Sequence, residues 1–484
     1  MSSKRKKFYI TTPIYYVNDK PHIGHAYTTI AADVLARFHR LQKEEVFLLT
    51  GTDEHGLKIQ HKAEEAGKDP QKFVDEIAKT FQSLWDKLDI KYDNFIRTTE
   101  AKHKEAVQKV LQALYDKGAI YKGEYEGLYC VGCEQLKNEN ELADGRCAEH
   151  DTVCETVKEE SYLLKMADLQ GKLIEKIEQD EFAIKPERYK KEILSFLKNE
   201  KLKDISISRK NVAWGIPLPF DSEHTTYVWV DAFLNYLTGI GWDGDPNNIP
   251  EMWPADVQLI GKDILRVHAT IWPVILIHLG IPLPKALYVH GHLLSGGRKM
   301  GKTLGNVIGI EEMLEKFGVD GTRYLLMSAG TFGDDVDVTM ERMVEKYNAD
   351  LANGIGNLVS RVVKLNSNPK SQIPASPAGR QMTKEIPNPN DKNMVSDFIR
   401  ELGLNKALDC IWDIVRKDDK FIEDSKPWEL AKEDENKFKE VMQELVSDLF
   451  LISELLIPFM PDTSEKIKKA LEAGKTEILF PRIK

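Results

Sequence analysis

Long apolar runs are missing from this chain. No stretch of about 18 apolar residues occurs, the length a helix needs to cross a bilayer, so no membrane span is expected. The segment from Met1 to Lys7 is basic but leads straight into a strand-like stretch without an apolar h-region, which argues against a secretory signal. Cysteine is scarce, with 5 in 484 residues. Cys130, Cys133, Cys147 and Cys154 crowd into one short window while Cys410 stands alone, a clustering that suggests metal more than disulfide in a chain without a signal. Charge of one sign is not in large excess: 67 basic residues face 77 acidic ones, a net charge of −10. That weighs against a surface that binds nucleic acid everywhere, yet leaves room for a local basic groove.

What is present is globular in character, with 42% apolar and 30% charged residues over a length that suggests two to four domains. Phe8 to Tyr16 is rich in β-branched and aromatic residues and reads as a buried strand. After a turn at Asn18–Pro21, Ile23, Ile30, Val34, Leu35 and Phe38 recur at helical spacing, placing His22-Ile23-Gly24-His25 at a helix N-terminus. Such a terminus offers backbone N–H groups and partial positive charge to phosphate, and histidines three apart share one face. The alternative for the pair is simple helix capping. Val46 to Thr50 reads as a second strand ending in Gly51-Thr52-Asp53-Glu54-His55-Gly56, where open α/β sheets bind ligands. Helices are expected over Pro70–Leu88 and from His103 to about Lys117, and the alternation argues for a doubly wound parallel sheet.

Between Gly118 and Pro219 the pattern breaks. Cys130-x-x-Cys133 and, thirteen residues on, Cys147-x-x-His150 carry the spacing of a closed structural zinc site. Inert buried thiols are the alternative, and Cys154 competes with His150 as fourth ligand. The α/β pattern then resumes, with strands expected over Thr226–Val230, Val257–Ile260 and Leu287–Leu294 and a helix over Ile264–Leu279. The expected architecture is therefore α/β: a Rossmann-like catalytic domain (1–117 and 220–294) split by a zinc-knuckle insertion (118–219). A loop region (295–339), turn-rich from Val319 to Asp337, and an α-helical bundle (340–484) follow. Helices are expected from Met340 to Leu365, then a polar linker with five prolines between Asn366 and Asp391.

Gly296 to Thr303, G-G-R-K-M-G-K-T, fits two readings. Gly296, Gly301, Lys302 and Thr303 match a P-loop, G-x-x-x-x-G-K-[ST]. A P-loop launches a helix directly from its Lys-Thr, whereas here Leu304, Gly305, Asn306 and Gly309 precede any helical run. The match reads as accidental, and the segment as a mobile lid bringing Lys299 and Lys302 to phosphates seated elsewhere.

The blocks assembled so far, with Tyr15-Tyr16-Val17-Asn18, Trp214-Gly215-Ile216-Pro217, Tyr227-Val228-Trp229-Val230-Asp231-Ala232 and Leu259-Ile260-Gly261-Lys262-Asp263-Ile264, resemble the class I aminoacyl-tRNA synthetases. Within these the chain is similar, nearly end to end, to the methionyl-tRNA synthetase family. The resemblance implies an ATP-dependent ligase that makes methionyl-adenylate and then methionyl-tRNA. His22 and His25, with Lys299 and Lys302 of a K-M-S-K-S-like loop, would stabilise the transition state, and Gly24, Asp263 and Lys302 would bind ATP. The loop departs from the family at Gly301 and Thr303, which replace serines. A methionine pocket is implied from Pro13, Ile14, Tyr16, Trp229, Ala232, Tyr236, Val267 and His268, with Asp53 facing the ammonium and Arg209 nearby. Asn357, Arg361 and Trp428 match anticodon-reading positions. Implied cofactors are one structural Zn2+ and Mg2+ with ATP; implied partners are tRNA(Met), L-methionine and ATP. A monomer in the cytoplasm, without membrane contact, is expected.

Overall fold

A computed structural model of the chain describes residues 5–130, 135–137, 142–147, 152–210, 212–300, 306–367 and 389–484. The chain forms two compact units, Met1–Pro21 with Glu44–Asp86 and Lys91–His290, and His22–Lys43 with Lys87–Ile90 and Gly291–Lys484.

The first unit is built on a seven-stranded sheet: β1 (Lys7–Thr11), β2 (Tyr15–Tyr16), β3 (Glu45–Asp53), β4 (Asn94–Arg97), β5 (Ala183–Lys185), β6 (Val257–Gly261) and β7 (Ala286–His290). The order is β5-β7-β6-β1-β3-β2, with β4 also on β3, and every pairing is parallel. Strands of such sheets are covered on both faces and read as continuous apolar runs, which is why Phe8, Tyr9 and Ile10 are all buried. The single strand expected over Phe8–Tyr16 is in fact two, because Thr12 turns its hydroxyl to Thr50 at 2.8 Å and Pro13 has no N–H to give a ladder. β1 lies between β3 and β6, so the strand order reverses there. The crevice beyond the carboxyl ends of β1, β3 and β6 is where an open α/β sheet takes its ligand.

Helix Ala101–Asp116 turns His103, Ala106, Val107, Val110, Leu111 and Leu114 inward at intervals of three and four residues. Val107, Val110, Leu111 and Leu114 join a core with Tyr9, Phe182, Trp253 and Trp272. The stretch expected as an insertion (118–219) contains an antiparallel sheet ordered Ile205–Ser206, Glu155–Leu164, Ile120–Cys130, Gln135–Lys137, while its Ala183–Lys185 is β5 of the main sheet. The strand expected over Thr226–Val230 is a correction: the strand is Asp221–Thr226, and Val228–Phe233 is a helix. Tyr227 spends its amide on the Ile207 carbonyl at 2.8 Å, and the helix that follows is so deeply buried that its β-branched and aromatic sequence has no polar face to betray the period.

In the second unit, helix Ile23–Leu41 and helix Ile310–Met327 are joined by a buried ion pair, Arg323 Nη2 to Asp33 Oδ2 at 2.7 Å. The stretch from Val319 expected to be turn-rich is helical to Met327: the chain kinks at Gly318 (φ 69°, ψ −179°) and resumes. Gly321 then lets Tyr347 approach to 3.1 Å of where a Cβ would stand. The helix expected from Met340 is interrupted by a π-helical stretch, Tyr347–Ile355, before Gly356–Asn366. Helices Pro389–Arg400, Leu404–Ser425, Pro427–Glu433, Glu435–Leu456 and Pro461–Ala473 complete a bundle. Most of the proline-rich linker lies outside the described residues. Among the described residues no helix is long and apolar enough to cross a membrane.

Candidate active site

In the first unit the carboxyl edge of β3 gathers three consecutive ionisable side chains, all buried: Asp53, Glu54 and His55. Glu54 is held on one side. Its oxygens meet Arg97 Nε at 2.7 Å and Nη2 at 2.9 Å, and the Thr52 hydroxyl donates to it at 2.7 Å. His55 turns the other way, its Nδ1 2.6 Å from Asp231 Oδ2. The second oxygen of Asp231 meets His103 Nε2 at 2.7 Å, and His103 Nδ1 meets the Thr238 hydroxyl at 2.7 Å. Burial pushes the Asp231 carboxyl up, but the two imidazoles outweigh it and hold the group at about 2. Asp231 is therefore a carboxylate, and the imidazole nitrogens facing it carry protons.

The Val228–Phe233 helix that bears Asp231 also bears Trp229 and Ala232. With Tyr236, Val267 and His268 they form an apolar, aromatic wall, all buried except Trp229, which is partly so. His268 sits 6.3 Å from the Trp229 ring and 4.9 Å from that of Phe233, edge to face in both cases. Tyr236 and His268 are locked together: His268 Nδ1 donates to the Ile264 carbonyl at 2.9 Å, so its Nε2 accepts from the Tyr236 hydroxyl at 2.8 Å. Burial pushes His268 down to about 4, so this wall is neutral at physiological pH. Tyr9 Oη donates to the Tyr236 carbonyl at 2.6 Å and fixes that turn to β1. Trp229 Nε1–H is buried without an acceptor, an open donor in an otherwise satisfied wall.

Pro13 and Ile14 lie in the turn after β1, and Tyr16 on β2, both at the same sheet edge. Lys58 Nζ stands 5.8 Å over the Tyr16 ring. Arg209 rests its guanidinium 4.0 Å from the Tyr129 ring and 5.7 Å from Tyr227, directly before the Val228–Phe233 helix. Asp263 folds back over Gly261, whose missing Cβ would stand 2.5 Å from Asp263 Oδ1.

In the second unit, His22 caps helix Ile23–Leu41. Its Nδ1 accepts from the Gly24 amide at 3.1 Å, and His25 Nδ1 accepts from the His22 amide at 3.2 Å. The rings stack with centroids 3.7 Å apart. Two amides of the terminus are thus bonded to the protein's own imidazoles through Nδ1, which puts the ring protons on Nε2. Burial, then the adjacent His22, push His25 well below the usual histidine range. A Cβ on Gly24 would stand 3.0 Å from His22 Cε1, so the capping ring would have to give by a few tenths of an ångström. Of the two readings of the pair, capping is the one these hydrogen bonds show.

The lysine loop opens with a hairpin, Leu293–Ser295 against Arg298–Lys299, rather than the continuous strand expected through Leu294. The chain breaks at Gly291, where a Cβ would lie 2.2 Å from the Asp334 carbonyl carbon. Gly296 and Gly297 form the turn with φ of 63° and 71°, and Gly297 gives its amide to Asp337 Oδ1 at 2.9 Å. An amide spent on a carboxylate is not cradling phosphate, and among the described residues the next helix starts at Ile310, which favours reading the P-loop match as accidental. Lys299 is exposed on the hairpin. Gly301, Lys302 and Thr303 lie outside the described residues, as do Cys133 and His150.

Cys130, Cys147 and Cys154 are buried together in a small cluster of their own. Soft thiol donors suit zinc, and Cys154 falls beside the two knuckle cysteines. Among the described residues no group of three or more is arranged to hold a metal ion.

On the bundle, Trp428 is 41% exposed at the start of helix Pro427–Glu433, so it does not close that helix against the core. Arg361 pairs with Glu423 at 2.6 Å. Asn357 lines a cavity of about 430 Å³ shared with Asn353, Ser360 and the segment Thr476–Phe480. The π-helical stretch Tyr347–Ile355, which directly precedes the helix bearing Asn357 and Arg361, was invisible in the sequence. So were the roles of His103 and Asp231, which lie 128 residues apart with no pattern to join them.

Residues 8–147 and 130–363 match the family described as tRNA synthetases class I (M). The chain therefore belongs to the class I aminoacyl-tRNA synthetases. It is 41% identical to the methionine--tRNA ligase of Clostridium acetobutylicum, spanning 99% of this chain and 79% of that one. Identity is likewise 41% with that of Streptomyces coelicolor, over 97% and 90%. The structure of Mycobacterium tuberculosis methionyl-tRNA synthetase in complex with methionyl-adenylate superposes with a TM-score of 0.88 at 34% identity, covering 96% of this chain and 93% of that one. The branch to which this chain belongs is the methionyl-tRNA synthetases.

Proposed function

We propose that this chain activates L-methionine with ATP to methionyl-adenylate and pyrophosphate, then transfers methionine to tRNA(Met). The observations that carry the reading are a buried Asp53 at the β3 edge and, in the same unit, a neutral aromatic wall. The carboxylate suits an α-ammonium. The rings and the single open Trp229 donor suit a long, polarizable thioether. Arg209 and Asp263 belong to the polar side of the same crevice, with Pro13, Ile14 and Tyr16 as its floor.

Attack of the methionine carboxylate on the α-phosphorus needs no general base, because that carboxylate is already ionised at neutral pH. The barrier lies in charge on the phosphorus and on departing pyrophosphate, lowered by donors already in place. His22 and His25 present Nε2–H groups for this, and Lys299 and Lys302 add two cations. Mg2+ accompanies ATP, held mostly by phosphates and water. Asn357, Arg361 and Trp428 read the anticodon: an exposed indole stacks on an unpaired base while the other two bond base edges. For Arg361 this means exchanging Glu423 for RNA. Zinc would be held by Cys130, Cys133, Cys147 and His150, with Cys154 as the competing fourth ligand, and would brace the insertion. The domain boundaries we propose are those after residues 117, 219, 294 and 339.

The test is amino-acid-dependent exchange of labelled pyrophosphate into ATP. Methionine should drive it best, and better exchange with leucine, valine or cysteine would assign a sister synthetase instead. Zinc is tested by metal content and melting after prolonged chelation: a metal-free chain with unchanged melting would refute it.

A further inference from the structure

The proposed chemistry makes no use of one deeply buried carboxylate in the first unit, Asp231. Asp231 is 1% exposed and joins three elements through one carboxylate: the β3 edge through His55, helix Ala101–Asp116 through His103, and its own helix, Val228–Phe233. A carboxylate so deeply buried gains little stability over well-packed apolar groups, whereas its bonds fix where its neighbours stand. Those neighbours are the ones that matter for recognition. Asp53 is two residues from His55 along the chain, and Trp229 and Ala232 flank Asp231 on its helix. Glu54, clamped by Arg97 on the opposite side, prevents the tripeptide from rotating about its backbone.

We propose that Asp231, gripped between His55 and His103, is a positioning residue for amino-acid recognition, setting the spacing between the Asp53 carboxylate and the Trp229–Ala232 face. The inference rests on the reading that Asp53 takes the ammonium and this face the side chain. The span between them then acts as a gauge of side-chain length, and the network is what keeps the gauge from slipping. A misplacement of a bound substrate by about 1 Å costs on the order of a hundredfold in rate, so a loosened gauge should be visible in kcat/KM for methionine.

Asp231→Asn tests it. An amide oxygen can accept from one imidazole, but its NH2 faces the other donor, so one histidine must change tautomer or let go. The expected result is a KM for methionine raised about tenfold or more, with kcat within about threefold and KM for ATP within about twofold. Discrimination against norleucine, matched in length but without sulfur, should be unchanged, while that against the longer ethionine should weaken. Should Asp231→Asn not fold, His103→Leu removes one grip and should reproduce the split, and His103→Gln, whose amide can still donate, should restore it. Equal loss of methionine and ATP affinity, or a methionine KM within about twofold of the parent in Asp231→Asn or His103→Leu, would overturn the proposal. Asp53→Asn is run alongside. If it spares methionine binding, the ammonium assignment falls and the inference with it; if it abolishes binding while Asp231→Asn spares it, the inference alone falls.

Discussion

Arg323→Met should strip the second unit of its principal internal tie. Arg323 is fully buried, and its guanidinium makes four bonds: to Asp33 Oδ2 at 2.7 Å and to the carbonyls of Phe459, Pro458 and Leu88 at 2.8, 3.0 and 3.2 Å. Methionine fills much the same volume but donates nothing. Removing one partner of a buried pair costs about 3–5 kcal/mol, because the other charge is stranded. Here Asp33 keeps Arg37 at 2.7 Å, which softens that penalty. Against this, three carbonyls lose a donor, and a buried group left unsatisfied costs about 1–3 kcal/mol. The two terms overlap, and a net loss of about 3–5 kcal/mol is expected. Hydrogen exchange at the amides of helix Ile23–Leu41 reads it directly, since that helix is what Asp33 anchors. The double variant Asp33→Leu with Arg323→Met should recover part of the loss, giving a coupling energy of about 1–3 kcal/mol. A loss below about 1 kcal/mol in the single variant would refute the reasoning. His22 and His25 stand on the same helix, so pyrophosphate exchange by Arg323→Met should fail at a lower temperature than the parent.

Tyr236→Phe removes the hydroxyl that donates to His268 Nε2, stranding a buried acceptor at a cost of about 1–3 kcal/mol. Methionine KM should rise while tRNA KM holds, and unchanged steady-state kinetics would sink the role given to this wall. Trp428→Ala should leave pyrophosphate exchange and melting alone, since the ring is exposed, but weaken tRNA by the about 1–3 kcal/mol of one base stack; unaltered tRNA KM would remove it from the anticodon site. In the bundle, burial and then the adjacent Asp448 push Asp418 up to about 9, so the folded chain holds a proton there that the unfolded chain releases near the ordinary carboxylate value. A raised folded pKa contributes stability at low pH that is lost as pH rises towards 9, with a slope of at most about 1.4 kcal/mol per pH unit for one proton. Asp418→Asn should flatten that decline in urea titrations at pH 5 to 9, and an identical pH profile in the variant would refute the shared proton.

The sequence disclosed best what repeats or clusters. The period in Ile23–Leu41 and in Ala101–Asp116 was visible because one face of each helix is polar. The β3 edge was visible because a buried strand ends abruptly in charge. The expectation failed where burial is complete. Val228–Phe233 carries valine, tryptophan and phenylalanine on every side, so it reads as a strand, and only the diversion of the Tyr227 amide to Ile207 ends the real strand before it. The stretch from Val319 to Asp337 was expected to be turn-rich, yet it is helical to Met327; Gly318 beside it is a kink and Gly321 a close approach to Tyr347, both needs of packing rather than of chain reversal. The literal P-loop match shows the same limit from the other side. Two glycines at positive φ serve a hairpin turn as well as a phosphate nest, and what separates the two is the Gly297 amide bonded to Asp337, forty residues downstream. Site residues followed suit: His22, His25 and Asp53 stand in contiguous motifs and could be read, whereas the Asp231 bridge between His55 and His103 exists only once helices distant in sequence are packed. Residues that react can be conspicuous in a chain, but those that hold them in place are defined by partners, and partners are a property of the fold.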